Sequence, residues 1–149
     1  MEEYIMTIDE GTTSARAVLF NKDSEIIAIC AKEFAQYYPQ PGWVEQDPKE
    51  IWLTTKEVIN RVVLQAGIDP RQIKAAGITN QRETVVVYDK NTGEPVYNAI
   101  GWADRRTAPY CDELKAAGKE QMFIDKTGLL IDGYFSGTEI KWILDNVPG

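Results

Sequence analysis

Tyr4-Ile5-Met6-Thr7-Ile8-Asp9-Glu10-Gly11-Thr12-Thr13-Ser14-Ala15-Arg16-Ala17-Val18-Leu19-Phe20 sets the architecture of this chain. Tyr4 to Ile8 is a short apolar run that ends at Asp9, Glu10 to Ser14 is polar and turn-forming, and Ala15 to Phe20 is apolar again. Asn21-Lys22-Asp23-Ser24 is a second turn signal, and Ile26 to Ala31 a third extended run. Three strands joined by short turns predict an antiparallel meander.

Further along, Pro39, Pro41 and Gly42 mark residues 35–46 as a loop. Asp47-Pro48-Lys49-Glu50 then opens a helix, with Asp47 as N-cap, Pro48 in the first position and Glu50 completing a capping-box pattern. Ile51, Val58, Ile59, Val62, Val63 and Ala66 fall on one stripe, and Gly67 is a stop. Ile73 to Thr79 reads as a strand leading into Asn80-Gln81-Arg82-Glu83. Thr84 to Tyr88 reads as another strand, Asn91-Thr92-Gly93 as a tight turn, and Val96 to Trp102 as extended chain. Arg106 to Ala117, Glu120 to Lys126 and Gly137 to Asn146 have helical character. Strands, a capped helix and a strand ending in charge open an α/β domain. The meander-first order argues against a dinucleotide-binding βαβ unit, and the phosphate-binding sequence G-x-x-x-x-G-K-[ST] does not occur.

The 149 residues suffice for a hydrophobic core, and a formal net charge of −7 disfavours nucleic acid and anionic membrane as partners. No apolar run is long enough to predict a membrane span, and the acidic N-terminus lacks a signal-peptide pattern, so the expected location is the cytoplasm. The absence of histidine removes His-based acid–base chemistry and His metal sites from this chain. Cys30 and Cys111 match no zinc or redox spacing and are expected to be buried free thiols.

Three groups of residues carry chemical potential. Asp9-Glu10-Gly11-Thr12-Thr13-Ser14 with Arg16 sits on a tight hairpin: Gly11 allows close backbone approach, the following amides and hydroxyls suit a phosphate, and Asp9 can face a hydrated Mg²⁺. Taken alone, the run reads equally as an ordinary hairpin of turn-favouring residues. Arg82 and Glu83 place a guanidinium and a carboxylate at a strand end, which suits a polyol, or else form a solvated surface pair. Trp102 and Tyr134 can cover the C–H face of a small polyol, whereas Phe135 and Trp142 read as core. The segment Pro39 to Pro48 reads as a structural loop without chemistry.

Asp9 to Val18, Pro41-Gly42-Trp43-Val44-Glu45, Gly77 to Thr84, Tyr97 to Ile100, Arg105-Arg106-Thr107 and Tyr134-Phe135-Ser136-Gly137-Thr138 occur in one order over almost the whole chain. Together they resemble the N-terminus of the FGGY carbohydrate kinases, and the Thr79 to Thr84 and Tyr134 to Thr138 runs resemble the glycerol-phosphorylating branch. The resemblance implies a ribonuclease-H-like, actin-like ATPase fold of class α/β, with residues 1–149 forming an incomplete N-terminal lobe. It implies ATP-dependent phosphorylation of glycerol to sn-glycerol 3-phosphate, with ATP and Mg²⁺ as cofactors and a homo-oligomeric parent. By position, Arg82, Glu83, Trp102, Tyr134 and Thr12 resemble the polyol site. Thr12, Thr13, Ser14 and Arg16 resemble the nucleotide-phosphate hairpin, and Asp9 the residue near Mg²⁺.

The resemblance also implies that the catalytic-base Asp lies beyond Gly149, so the segment alone is expected to have little or no kinase activity. Alternatives are an FGGY kinase for another sugar or polyol, or a non-catalytic truncated homologue acting as an interaction module through an exposed apolar face. Two departures stand out. Glu10 occupies a position where the family usually has Gln, which is expected to add negative charge beside the phosphates, and Gly101-Trp102-Ala103-Asp104 differs around the pocket tryptophan.

Overall fold

In the computed structural model, which describes residues 2–148, the chain divides into two compact units. The first comprises Met1–Ala35 and Lys49–Gln81, and the second Gln36–Pro48 and Arg82–Gly149.

The first unit is built on the expected meander. Strands β1 (Tyr4–Glu10), β2 (Ser14–Asn21) and β3 (Ile26–Glu33) pair antiparallel in sequence, and β5 (Ile73–Thr79) adds parallel to β1, giving the order β3-β2-β1-β5. A parallel pairing needs a crossover, and α1 (Pro48–Ala66) supplies it. Period-two alternation sends Tyr4, Met6, Ile8, Ala15, Ala17, Leu19, Ala28 and Cys30 to one face, where they close a core with Val58 and Val62 of α1. Ala15 and Ala17 are wholly buried, and these short side chains leave room for the helix to come close to the sheet. Gly67 adopts φ +65°, the left-handed geometry of a helix stop, and its N–H donates to the Leu64 carbonyl. Asp69 and Gln72 form a reciprocal capping box on the short 3-10 helix Pro70–Gln72 that leads into β5. The other face of the sheet is open, with Ile5 51% and Ile29 46% exposed.

Val58 is fully buried between helix and sheet. Val58→Ala removes two carbon atoms from a packed core and is expected to cost about 2 kcal/mol of this unit's stability, measurable by urea denaturation.

The second unit carries a small two-stranded pairing, β4 (Glu45–Gln46) with β6 (Ala99–Ile100), and three helices: α2 (Ala108–Ala116), α3 (Glu120–Thr127) and α4 (Ser136–Asn146). Three expectations are corrected. Residues 84–88 form no regular strand but only single bridges, Val85 to Ile100 and Tyr88 to Pro95, and of 96–102 only Ala99–Ile100 is strand. Pro95 has no N–H to continue a ladder, and the Asp89 carboxylate accepts the Asn91 and Thr92 amides to close a turn in which Gly93 has φ +74°. Conversely, Glu45–Gln46, expected as loop, pairs with residues more than fifty positions away. Cys30 and Cys111 are buried and free, as expected. None of the described helices is long and apolar enough to cross a membrane.

Candidate functional site

In the first unit, β1 and β2 deliver the hairpin. Asp9 stands opposite Arg16 on β2 and Thr79 on β5, at the end of the sheet, where the Asp9 and Arg16 side chains retain access to solvent. The turn is tight: the Gly11 N–H donates to the Ser14 carbonyl at 3.0 Å, and a Cβ on Gly11 would lie 3.1 Å from that oxygen. The Phe34 N–H donates to the Thr13 carbonyl at 3.2 Å and ties the turn to the end of β3. Thr13 and Arg16 are exposed, and Thr12 and Ser14 half-buried.

Glu10 shares the face of Met6 and Ile8, so its carboxylate is directed at α1: Oε1 accepts from the Thr55 hydroxyl at 2.7 Å, and Oε2 is buried without a hydrogen-bond partner. Alternation along β1 thus engages the extra negative charge with the helix, where the sequence led us to expect it beside a phosphate.

In the second unit, Trp102 and Tyr134 come together. Their ring centroids are 6.0 Å apart at 65°, and Phe135 stacks edge-on to Tyr134 at 5.2 Å. The loop holding Tyr134 is fixed by Asp132, whose Oδ1 accepts the Tyr134 N–H at 2.8 Å and an Arg105 Nη1–H at 3.0 Å. Gly133 is needed here, because a Cβ would press on the Thr107 hydroxyl at 3.0 Å. Arg82 and Glu83 open this unit directly after β5 and Gln81. Glu83 has φ +59°, a left-handed backbone that a non-glycine residue adopts at a cost, and such strain concentrates at sites where a side chain must be aimed. Arg82 is exposed and Glu83 half-buried.

Behind these residues lies a charged cluster for which the sequence reading assigned no chemistry. The Arg106 side chain is wholly buried. Its Nη2–H groups donate to Glu45 Oε1 and Asp104 Oδ2, each at 2.8 Å, and its Nε–H to Asp104 Oδ1 at 3.0 Å. The guanidinium carbon is 3.8 Å from the Trp43 ring centroid and 4.6 Å from that of Trp142. Glu45 also accepts from the Tyr97 hydroxyl at 2.7 Å and Asn98 Nδ2 at 2.9 Å, and Asp104 Oδ2 from the Val44 N–H at 2.7 Å. Burial pulls the Arg106 pKa down, but the bonds to Asp104 and Glu45 outweigh it and leave the pKa raised. Burial, then the Glu45 bond, pushes the Tyr97 hydroxyl up. The available signal was the acid–base density of Glu45 and Asp104-Arg105-Arg106; Trp142, read as core, forms one wall of the cage.

The hairpin offers amides, hydroxyls, a carboxylate and a guanidinium suited to an anion with its counter-cation. The second unit offers an aromatic pair suited to the C–H face of a small polar molecule, with Arg82 and Glu83 in the same unit. The model for the FGGY family of carbohydrate kinases, N-terminal domain, matches residues 4–149. The chain is 60% identical over 148 residues to a glycerol kinase of Chromobacterium violaceum, covering 99% of this chain and 30% of that protein. Among solved structures, it resembles Plasmodium falciparum glycerol kinase with ADP (TM-score 0.90, 32% identity, 99% of this chain and 29% of that one). It also resembles a gluconate kinase from Lactobacillus acidophilus (TM-score 0.88, 25% identity, 98% of this chain and 29% of that one). The chain thus spans about a third of the length of the relatives it matches, and over that span it has the fold of their N-terminal lobe. With the family model matched over residues 4–149, the chain belongs to the FGGY family of carbohydrate kinases.

Proposed function

We propose that this chain is the N-terminal part of an ATP-dependent glycerol kinase, supplying its polyol-binding residues and its phosphate hairpin. The observation that carries the reading is the meeting of Trp102 with Tyr134 in a chain 60% identical to a glycerol kinase. In this reading the two rings flank the carbon skeleton of glycerol, Tyr134 offers its hydroxyl to one oxygen, and Arg82 and Glu83 fix the others by donating and accepting hydrogen bonds. Two directional partners on neighbouring hydroxyls select one prochiral end.

Thr12, Thr13 and Ser14 present amides and hydroxyls to the nucleotide phosphates, with Thr12 also reaching the transferred group, and Arg16 adds a positive charge. The Gly11 turn fits this role, since a residue without a Cβ lets a ligand approach the backbone closely there. Among the described residues no group of three or more His, Cys, Asp or Glu side chains gathers to hold a metal. A Mg²⁺ would therefore rest on Asp9 as its carboxylate, with phosphate oxygens and water completing the shell, which is the usual manner for this ion. When bound, ATP with Mg²⁺ supplies the phosphoryl group and offsets the charge that develops on it. No residue of the chain is assigned as catalytic base. The proposed setting is a cytoplasmic homo-oligomer.

Calorimetric titration tests the assignment. Arg82→Ala is expected to weaken glycerol binding at least about tenfold while leaving nucleotide binding within about twofold, the loss of a charge-assisted hydrogen bond. Equal glycerol affinity in the variant contradicts the site, and tighter binding of gluconate or xylulose than of glycerol moves the reading to another member of the family.

A further inference from the structure

Glu139 lies in the first turn of α4 and is wholly buried, and neither of its carboxylate oxygens has a hydrogen-bond partner among the described residues. Arg106, whose positive charge acts on it, has Nε and Nη2 committed to Asp104 and Glu45, and its Nη1 is buried without a partner. A carboxylate so placed is shut off from bulk solvent and has no committed counter-ion, which makes its charged form expensive.

The groups that face it make this worse. Asp104, from the loop after β6, and Glu83, from the loop after β5, both raise its pKa, and only Arg106 opposes them. Glu45 and Tyr97 bear on it through Arg106. From α2, the Cys111 thiol, itself pushed up by burial, approaches the Thr138 hydroxyl beside it. On the exposed side of α4, Lys141 is paired with Asp145. The amide ends of the first turn of α4 favour a negative charge, but an end effect of this size is small beside full burial.

We propose that Glu139 is a proton latch: as a neutral acid it lets the start of α4 seat against the Arg106 cage, and on losing its proton it drives that turn, with the preceding Tyr134–Phe135 segment, out of its packed position. The proton goes to solvent and no bond other than O–H is broken. The latch is independent of the substrate reading, since it rests on burial and charge within the second unit alone. Its consequence for any ligand held by Tyr134 and Glu83 is that alkaline conditions loosen the residues that hold it.

Three measurements test it. Infrared spectroscopy of the chain carrying ¹³C-labelled glutamate is expected to show a protonated-carboxyl C=O band at neutral pH that is lost in Glu139→Gln. Trp43 and Trp142 border the cage, so their fluorescence is expected to report a reversible transition as Glu139, pushed up to about 9, titrates. Above that pH, amide exchange over residues 134–142 is expected to run at least about tenfold faster in the unmodified chain than in Glu139→Gln. Absence of the carboxyl band in the unmodified chain overturns the proposal, whatever the variant does, and so does an alkaline transition that persists unchanged in Glu139→Gln.

Discussion

Arg106→Ala is expected to destabilise the second unit by about 3–5 kcal/mol, the range for removing one partner of a buried charge cluster. The side chain is wholly buried, and truncating it leaves Glu45 and Asp104 facing one another without a cation. Glu45 keeps the Tyr97 hydroxyl and Asn98 amide, and Asp104 keeps the Val44 and Arg106 main-chain N–H groups. Those neutral donors solvate the carboxylates in part, which places the expected loss within the stated range rather than above it. A cavity also opens beside the Trp43–Trp142 pair, on which the guanidinium rests. Near-UV circular dichroism should therefore lose tryptophan signal in the same step as stability falls in a urea titration. Arg106→Lys should recover less than half of the loss, because an ammonium cannot donate through a planar fork to two carboxylates while lying flat on an indole.

Glu139→Gln is expected to act in the opposite direction, stabilising the second unit by about 3 kcal/mol at pH 7. The sign follows from the proton balance. The folded chain keeps a proton on Glu139 up to about 9, whereas the unfolded chain releases it near 4.5. Between those values the folded state binds more protons, so the stability of the unmodified chain falls as pH rises, by about 1.4 kcal/mol per pH unit from this group. Below 4.5 both states hold the proton and the contribution is flat; above 9 the full cost is present. Glutamine keeps the shape and removes the titration. Denaturation midpoints at pH 5, 7 and 9 measure the difference, which should be small at pH 5 and widen toward pH 9. A constant difference across the series rules out titration as its origin.

Glu139 and the partners of Arg106 were poorly legible in the sequence. Glu139, in the first turn of an amphipathic helix, reads as a solvent-facing charge favoured by the helix end; it is buried instead, and the charges that act on it, Asp104 and Arg106, lie more than thirty residues away. Glu45 stood in a proline-rich run with no period to read, and its strand exists only because Ala99–Ile100 is there to pair with it. Local signals served better where the partner is close in sequence. The β1–β2 hairpin, α1 and its stop at Gly67 follow from alternation, a helical stripe and a glycine, all determined within a few residues. In the segment 84–88, expected as strand, Tyr88 faces Pro95, whose missing N–H ends the pairing at that point.

At the candidate site, residue types indicated a chemistry without deciding for it: the hairpin and the Arg82-Glu83 pair each admitted a bland reading. The family resemblance singled out Arg82, Glu83, Trp102 and Tyr134, and the structure brings the two rings together and gives Glu83 a strained backbone. The left-handed conformation of Glu83 had no local signal, since nothing in Asn80 to Thr84 demands it.

The proposed function stands on Arg82, Glu83, Trp102 and Tyr134 acting together on one polyol. Amide and indole chemical shifts of the ¹⁵N-labelled chain, followed as glycerol is added, probe all four at once. Saturable shifts are expected, confined to residues 82–84, the Trp102 indole N–H and residues 133–135, and lost in Arg82→Ala. Shifts that rise linearly without saturating, or that gather on a different surface, contradict a shared polyol site.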